Sequence, residues 1–319
     1  MKVSGRIRGT LGLLCGLAAS GGWAQPMGAQ RLEPRSFPQT GVESYQLRST
    51  TMGRTYDISV GLPDDYEANP DMQYPTLIVT DGNRFFPMVR VVAQGLSRML
   101  VISIGTPFEE GGTAFGRRRV HEFSPPNWDM DDPFGRVVKD GCLRLEVPPG
   151  QECTGGAPAF LNFIVSELLP ALYAKYRIDP DDLGLYGVSA GGFFTVYTMF
   201  QERSPFRKYI ASSAAMAYGD DEIFRLEEQY AATHDDLPVG IYLGSGGLEL
   251  DDAFLEGIGR ISSGQAHLSG MLRSRNYPGL ELYSEIHHGL GHTDAAPVTL
   301  ARGVRLLYVV PTPSYVPRD

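Results

Sequence analysis

Five residues past the middle of the chain, Gly187-Val188-Ser189-Ala190-Gly191, have the types and spacing of a serine nucleophile. They lie between an apolar strand-like run, Leu183-Gly184-Leu185-Tyr186, and a helix-like run from Gly192 to Phe200. A serine at the tip of a sharp strand-to-helix turn presents its hydroxyl above a sheet, where a base can take its proton. Any Cβ at Gly187 or Gly191 would press the strand against the helix that leaves it. The N–H of Ala190 opens that helix and points toward the oxygen that gains charge in acyl transfer. In a chain with 38 glycines the five-letter pattern is weak by itself, and a glycine-rich turn around a buried serine is the plain alternative. Context favours the nucleophile: the pattern occurs once, follows a strand, opens a helix, and has acid and histidine candidates downstream in the required order.

A serine hydroxyl needs a positioned base. Of the six histidines, His292 fits best, in Gly289-Leu290-Gly291-His292-Thr293 after the last expected strand and before a helical run from Pro297 to Tyr308. His287 and His288 sit at that strand's end, and His288 is placed to line a pocket. A carboxylate must hold the base's tautomer, and in chain order it should follow the penultimate strand, Val239-Gly240-Ile241-Tyr242-Leu243. That loop offers Glu249, Asp251 and Asp252; the two aspartates read as a helix cap, which leaves Glu249. The second oxyanion donor should come from Asp81-Gly82-Asn83, where Gly82 lets backbone approach a substrate, so the N–H of Gly82 or Asn83 joins Ala190.

The elements that position these residues follow from periodicity. Ser44–Ser49 and Arg54–Leu62 alternate and predict an antiparallel hairpin at a sheet edge. Pro75–Thr80 and Met99–Ile104 are continuous apolar runs, expected of strands buried on both faces. Further strands are expected at Lys208–Ala214, Pro238–Gly244 and Leu280–Ile286, with helices over 84–95, 157–176 (kinked at Pro170), 220–232, 252–275 and 294–308. Alternation of strand and helix gives a doubly wound α/β sheet with helices on both faces, whose ligands bind beyond the carboxyl ends of the strands. From Gly105 to Gly156 the pattern breaks into Gly, Pro and charges, which predicts a cap or rim over the site.

The first 24 residues carry a basic start, a short apolar stretch and small residues before Gln25, the pattern of a secretory signal. Residues 25–41 read as a loose leader and 42–319 as a single catalytic domain. Removing the signal takes three cations and no acid, so the formal charge moves from −9 to −12. Such a surface argues against nucleic acid as a partner, and no later stretch is apolar enough to span a membrane. Export to the periplasm or medium makes a disulfide between Cys142 and Cys153 the expectation, two unpaired buried thiols being the alternative. No cluster has metal-ligand spacing, and neither metal nor other cofactor is expected.

Taken together, several segments resemble the esterase branch of the α/β-hydrolases that includes siderophore trilactone esterases and esterase D-like enzymes. The matching pieces are Gly155-Gly156-Ala157-Pro158-Ala159-Phe160, Glu167-Leu168-Leu169-Pro170, Tyr176-Arg177-Ile178-Asp179-Pro180, the serine turn and Ser212-Ser213. Similarity extends to Asp81-Gly82-Asn83, to Gly246-Gly247-Leu248-Glu249, and to Gly291-His292 with Arg302-Gly303-Val304-Arg305. The resemblance implies an α/β-hydrolase fold, a mostly parallel sheet of about eight strands, and serine esterase chemistry without a cofactor. Some relatives use Ser and His alone, and the region 105–156 departs from the family pattern. The substrate the resemblance implies is an ester, with a siderophore-type lactone as its leading candidate. Arg84, Arg90 and Arg117–Arg119, with His288, are the candidate contacts to an anionic chelate, a solvated arginine loop being the other reading. An acyltransferase on the same fold and a non-catalytic binding protein are the rival functions, and oligomeric state is left open.

Overall fold

Six apolar segments pair side by side as parallel strands in the computed structural model, of which residues 41–148 and 151–309 are described. They are β3 (Tyr74–Val79), β4 (Leu100–Gly105), β5 (Ile178–Val188), β6 (Lys208–Ser212), β7 (Gly240–Gly246) and β8 (Glu281–His287). An antiparallel hairpin, β1 (Val42–Arg48) and β2 (Thr55–Gly61), extends the sheet through β2 on β4, giving the order β1-β2-β4-β3-β5-β6-β7-β8. The expected signal peptide and nearly all of the leader lie outside the described residues.

Apolar residues on both faces explain the continuous runs. Leu77 and Val79 of β3 point into one core, with Tyr186, Ile210 and Tyr242, under α1 (Gly82–Leu96) and α9 (Ala295–Leu307). Ile78 points into the other, with Leu185, Tyr209 and Leu243. That face is covered by α6 (Ala190–Met199), α7 (Tyr218–Ala231) and α8 (Ile261–Arg275), and by a helix running from 157 to 173. The last consists of α4 (Ala157–Phe163) and α5 (Leu169–Tyr173), joined by a π-helical segment at Ile164–Leu168. The kink expected at Pro170 is therefore taken up by the wide turn before it, which accommodates a residue with no N–H to donate. Among the described residues no helix is long and apolar enough to cross a membrane.

One expected helix is shorter than its pattern. Residues 252–260 turn instead: Asp252 Oδ1 accepts the N–H groups of Phe254 and Leu255, both at 2.8 Å, and Arg260 takes a left-handed φ of 50°. The Glu256 carboxylate then accepts the N–H of Ser262 at 2.8 Å and caps α8, which starts only at Ile261.

The segment after β4 carries two helices where the sequence suggests only a broken pattern: α2 (Gly111–Phe123) and α3 (Pro133–Arg144). Asp132 caps α3 by accepting from Phe134 and Gly135 N–H at 3.0 and 2.9 Å. Cys142 and Cys153 are bonded, with Cα atoms 6.0 Å apart. Closing so short a loop constrains the unfolded chain by about 3 kcal/mol. Neither Cys142 nor Cys153 should titrate as a thiol in denatured, unreduced protein. Reduction should raise hydrogen exchange first between α3 and Gly156 and later in the sheet, and two free thiols at these positions would exclude the bond.

Candidate active site

The carboxyl ends of β3, β5, β7 and β8 all lie on one edge of the sheet, and each is followed by one of the expected functional residues. Ser189 follows β5 directly. Its backbone has φ 61° and ψ −118°, a conformation sparsely populated by non-glycine residues. Surrounding bonds fix it: Ser189 N–H donates to Ser212 at 2.9 Å, and its carbonyl accepts from Phe193 at 2.9 Å and Ala215 at 3.2 Å. A Cβ at Gly187 would lie 2.1 Å from the Gly191 carbonyl oxygen, and one at Gly191 2.7 Å from Thr80 Oγ1. Gly192, not singled out in the sequence, is held as tightly, 2.9 Å from the Ser212 carbonyl.

His292 must reach back across the sheet, because β8 stands three strand positions, about 14 Å, from β5. The loop that carries it turns at Gly289, where φ is 73°, and is fixed at its far end by Asp294, which accepts from Gly291 N–H at 2.7 Å. Leu248 N–H donates to the Leu290 carbonyl at 2.9 Å, so this loop is tied to the turn after β7 that carries Glu249. His292 Nδ1 stands 2.5 Å from Glu249 Oε1, while Glu249 Oε2 accepts Gly246 N–H at 2.9 Å. Glu249 is fully buried and His292 half-buried. Asp251 and Asp252 are exposed, and Asp252 caps the following turn. No hydrogen bond joins Ser189 Oγ to His292 here; such contacts commonly tighten when substrate binds.

The loop after β3 starts α1. Asp81 is left-handed (φ 53°), and a Cβ on Gly82 would meet Ser103 Oγ at 2.7 Å, so only glycine lets α1 start against β4. Asn83 clamps that loop to the end of β4: its Nδ2 donates to the Thr106 carbonyl at 2.6 Å, and Thr106 N–H returns a bond to Oδ1 at 2.7 Å. The first N–H groups of α1 and α6, including those of Gly82, Asn83 and Ala190, open toward the same edge as helix N-termini.

A protein-family model described as "Putative esterase" matches residues 143–250. The ferri-bacillibactin esterase BesA of Bacillus subtilis (strain 168) is 24% identical over 283 residues, spanning 85% of this chain and 90% of that protein. A siderophore enterobactin esterase of Emericella nidulans is 31% identical over 126 residues, 39% of this chain and 38% of that protein. A solved structure of a BES protein from Bacillus cereus superposes with a TM-score of 0.71 at 24% identity, spanning 88% of this chain and 100% of that one. The chain has the α/β-hydrolase fold. The relatives named here are esterases, and the eight-stranded sheet is the one the sequence resemblance implies.

The expected substrate contacts are placed differently from one another. Arg84 is exposed in the first turn of α1, without an ion-pair partner among the described residues. Arg119 does not stand free: its Nε donates to Asp81 Oδ2 at 2.8 Å and a terminal nitrogen donates to the Val188 carbonyl at 3.1 Å. It thus ties the α1 loop to the residue before Ser189, and much of its charge is matched by Asp81. Arg118 is buried and paired with Glu110, and Arg117 donates to the Leu145 carbonyl at 3.1 Å, so the arginine run is not a solvated loop. His288 is exposed, whereas His287 Nε2 lies 3.2 Å from Tyr242 Oη, and burial holds that imidazole below its usual pKa.

Sequence reasoning gave no role to Glu122 of α2, which lies buried behind this region. The Tyr56 hydroxyl donates to it at 2.6 Å and Arg54 approaches to 3.3 Å. Burial pushes its carboxyl up to about 7, against the pull of Tyr56 and Arg54. The proton is therefore retained on folding between the ordinary glutamate value and about 7. Stability from this group is fully present below pH ~4.5 and is lost as pH rises through the folded value. Glu122→Gln should remove that slope. Measured as unfolding free energy from pH 4.5 to 8, wild type should lose on the order of 1–3 kcal/mol relative to the variant. Parallel curves would show that Glu122 ionises normally.

Proposed function

We propose that the chain is an exported serine esterase that cleaves a carboxylic ester through an acyl-enzyme. The reading rests chiefly on one observation, the 2.5 Å contact between His292 Nδ1 and buried Glu249 on the edge that also carries Ser189. With Nδ1–H donating to Glu249, the His292 tautomer leaves Nε2 as the acceptor. Ser189 Oγ attacks the ester carbonyl and its proton passes to Nε2. The tetrahedral oxyanion is met by the N–H of Ala190 and by that of Gly82 or Asn83. Collapse expels the alcohol, which takes the proton from His292, and water repeats the sequence on the acyl-enzyme.

The substrate proposed is a siderophore-type ester, such as a trilactone, on the strength of the relatives' names. Arg84 beside the donor loop offers a cation to an anionic chelate. Export to the periplasm or medium agrees with the basic and apolar start of the sequence and with the Cys142–Cys153 bond.

Purified protein should hydrolyse aryl esters and open a ferric trilactone, and a serine-reactive phosphonate should label it once, at Ser189. Ser189→Ala should lose nearly all turnover and all labelling while keeping its melting temperature, since only the attacking oxygen is removed. Turnover within about tenfold of wild type would exclude Ser189 as nucleophile.

Glu249→Gln should lower kcat by about two to four orders of magnitude, because the amide no longer fixes the tautomer or stabilises the imidazolium. Asp252→Asn should act on stability alone, through its turn. Full activity in Glu249→Gln would mean a Ser–His pair working without the carboxylate.

A further inference from the structure

Beside the oxyanion loop, on the side away from His292, lies a cleft of about 320 Å³ lined by Pro107, Phe108 and Phe115, with Asn83 and Thr106 as its polar members. The Asn83 side-chain amide and the Thr106 backbone groups are spent on each other, so the cleft offers a ligand little besides hydrocarbon. Gly111 and Gly112 complete it, and a Cβ added at either would meet nothing within 4 Å. Phe108 is 90% exposed, although the turn that carries it is anchored by Glu109 to Gln46 at 3.1 Å and by Glu110 to Arg118. With Pro107 and Phe115, that ring makes the wall of the cleft apolar.

We infer that this cleft is the subsite for the acyl part of the ester, and that what enters it is the uncharged, apolar portion of that part, a medium alkyl chain or one aromatic ring, any anionic chelate staying outside the cleft where Arg84 is exposed. The inference rests on the serine-esterase reading and deepens it. In the tetrahedral intermediate on Ser189, the leaving oxygen must face His292, which arrives from the β8 side. The oxyanion faces the N–H groups of the two helix starts. The acyl substituent is left the direction past β3 toward β4, where strand order places the cleft. Its volume exceeds the roughly 150 Å³ of an apolar cavity that holds benzene. No charged side chain lines it, so a carboxylate or ammonium on the acyl body would lose its hydration without compensation.

The test uses p-nitrophenyl esters that share one alcohol and differ in acyl group: acetate, hexanoate and phenylacetate. Wild type should prefer hexanoate and phenylacetate over acetate in kcat/KM by about tenfold or more. Gly112→Leu puts a side chain into the cleft from a helix position with open space before it, and should cut that preference by about tenfold. Phe108→Ala removes one wall at an exposed position and should cut it several-fold, which keeps the proposal testable should Gly112→Leu fold poorly. Acyl preference unmoved in both variants, with acetate still hydrolysed and Ser189 still labelled by phosphonate, would overturn the cleft and leave the esterase standing. Absence of both hydrolysis and labelling in wild type would overturn the esterase reading and the acyl subsite with it.

Discussion

The site depends on how closely the end of β5 and the start of α6 approach each other. A Cβ on Gly187 would stand 2.1 Å from the backbone of Gly191, and one on Gly192 2.9 Å from the carbonyl of Ser212. The chain therefore turns within one residue, and that residue, Ser189, takes φ 61° and ψ −118°. Such a conformation costs about 1–3 kcal/mol. It persists because every residue of α6 is buried against the sheet and the helices around it, so the turn has nowhere to relax. The same compression that strains the serine exposes it and brings the first N–H of α6 beside it. The strained serine and the helix N–H beside it are two results of one packing constraint.

The other expected residues on this edge belong to loops that leave strands farther along the sheet. His292 starts from a strand three places away and returns on a glycine-containing loop, held to the Glu249 turn by the backbone bond from Leu248 to Leu290. Glu249 is fixed by Gly246 N–H as well as by His292, so its carboxylate is oriented independently of the imidazole. On the other side Arg119 spans from Asp81 to the Val188 carbonyl. A buried ion pair of this kind adds little net stability, but losing either partner would leave the other desolvated and unpaired. Its effect is to fix the two donor loops relative to each other.

The parallel strands were legible because both faces of each are apolar, and a continuous run such as Leu100–Ile104 has few other uses. The places of Ser189, Glu249 and His292 after β5, β7 and β8 were legible because their order along the chain mirrors strand order in the sheet. The insertion was not. The buried positions of α2 are Ala114, Arg118, Glu122 and Phe123, the first three at helical spacing on one face. Two of those three are charged, so no apolar stripe marks the helix. Their partners, Thr55, Tyr56, Arg54 and Glu110, lie mostly more than sixty residues away in sequence, except Glu110. The late start of α8 was hidden for a related reason: Asp252 and Glu256 cap in succession, and the groups they satisfy are set by the turn and not by the residue types.

The insertion, often the part of such a fold treated as decoration, reaches the site at two levels. Arg119 of α2 holds the carbonyl next to Ser189, and Phe115 of the same helix, with Phe108 before it, lines the apolar cleft. One helix therefore both holds the backbone before Ser189 and shapes the adjoining surface. Residues 115 and 119 are four apart and share a face of α2, so rotating or shifting the helix to widen the cleft would also move Arg119 off Asp81. Sequence change that retunes the cleft is confined to side chains that leave the axis of α2 in place, such as the glycines at its first turn. The insertion and the sheet edge that carries Ser189 are mechanically one unit.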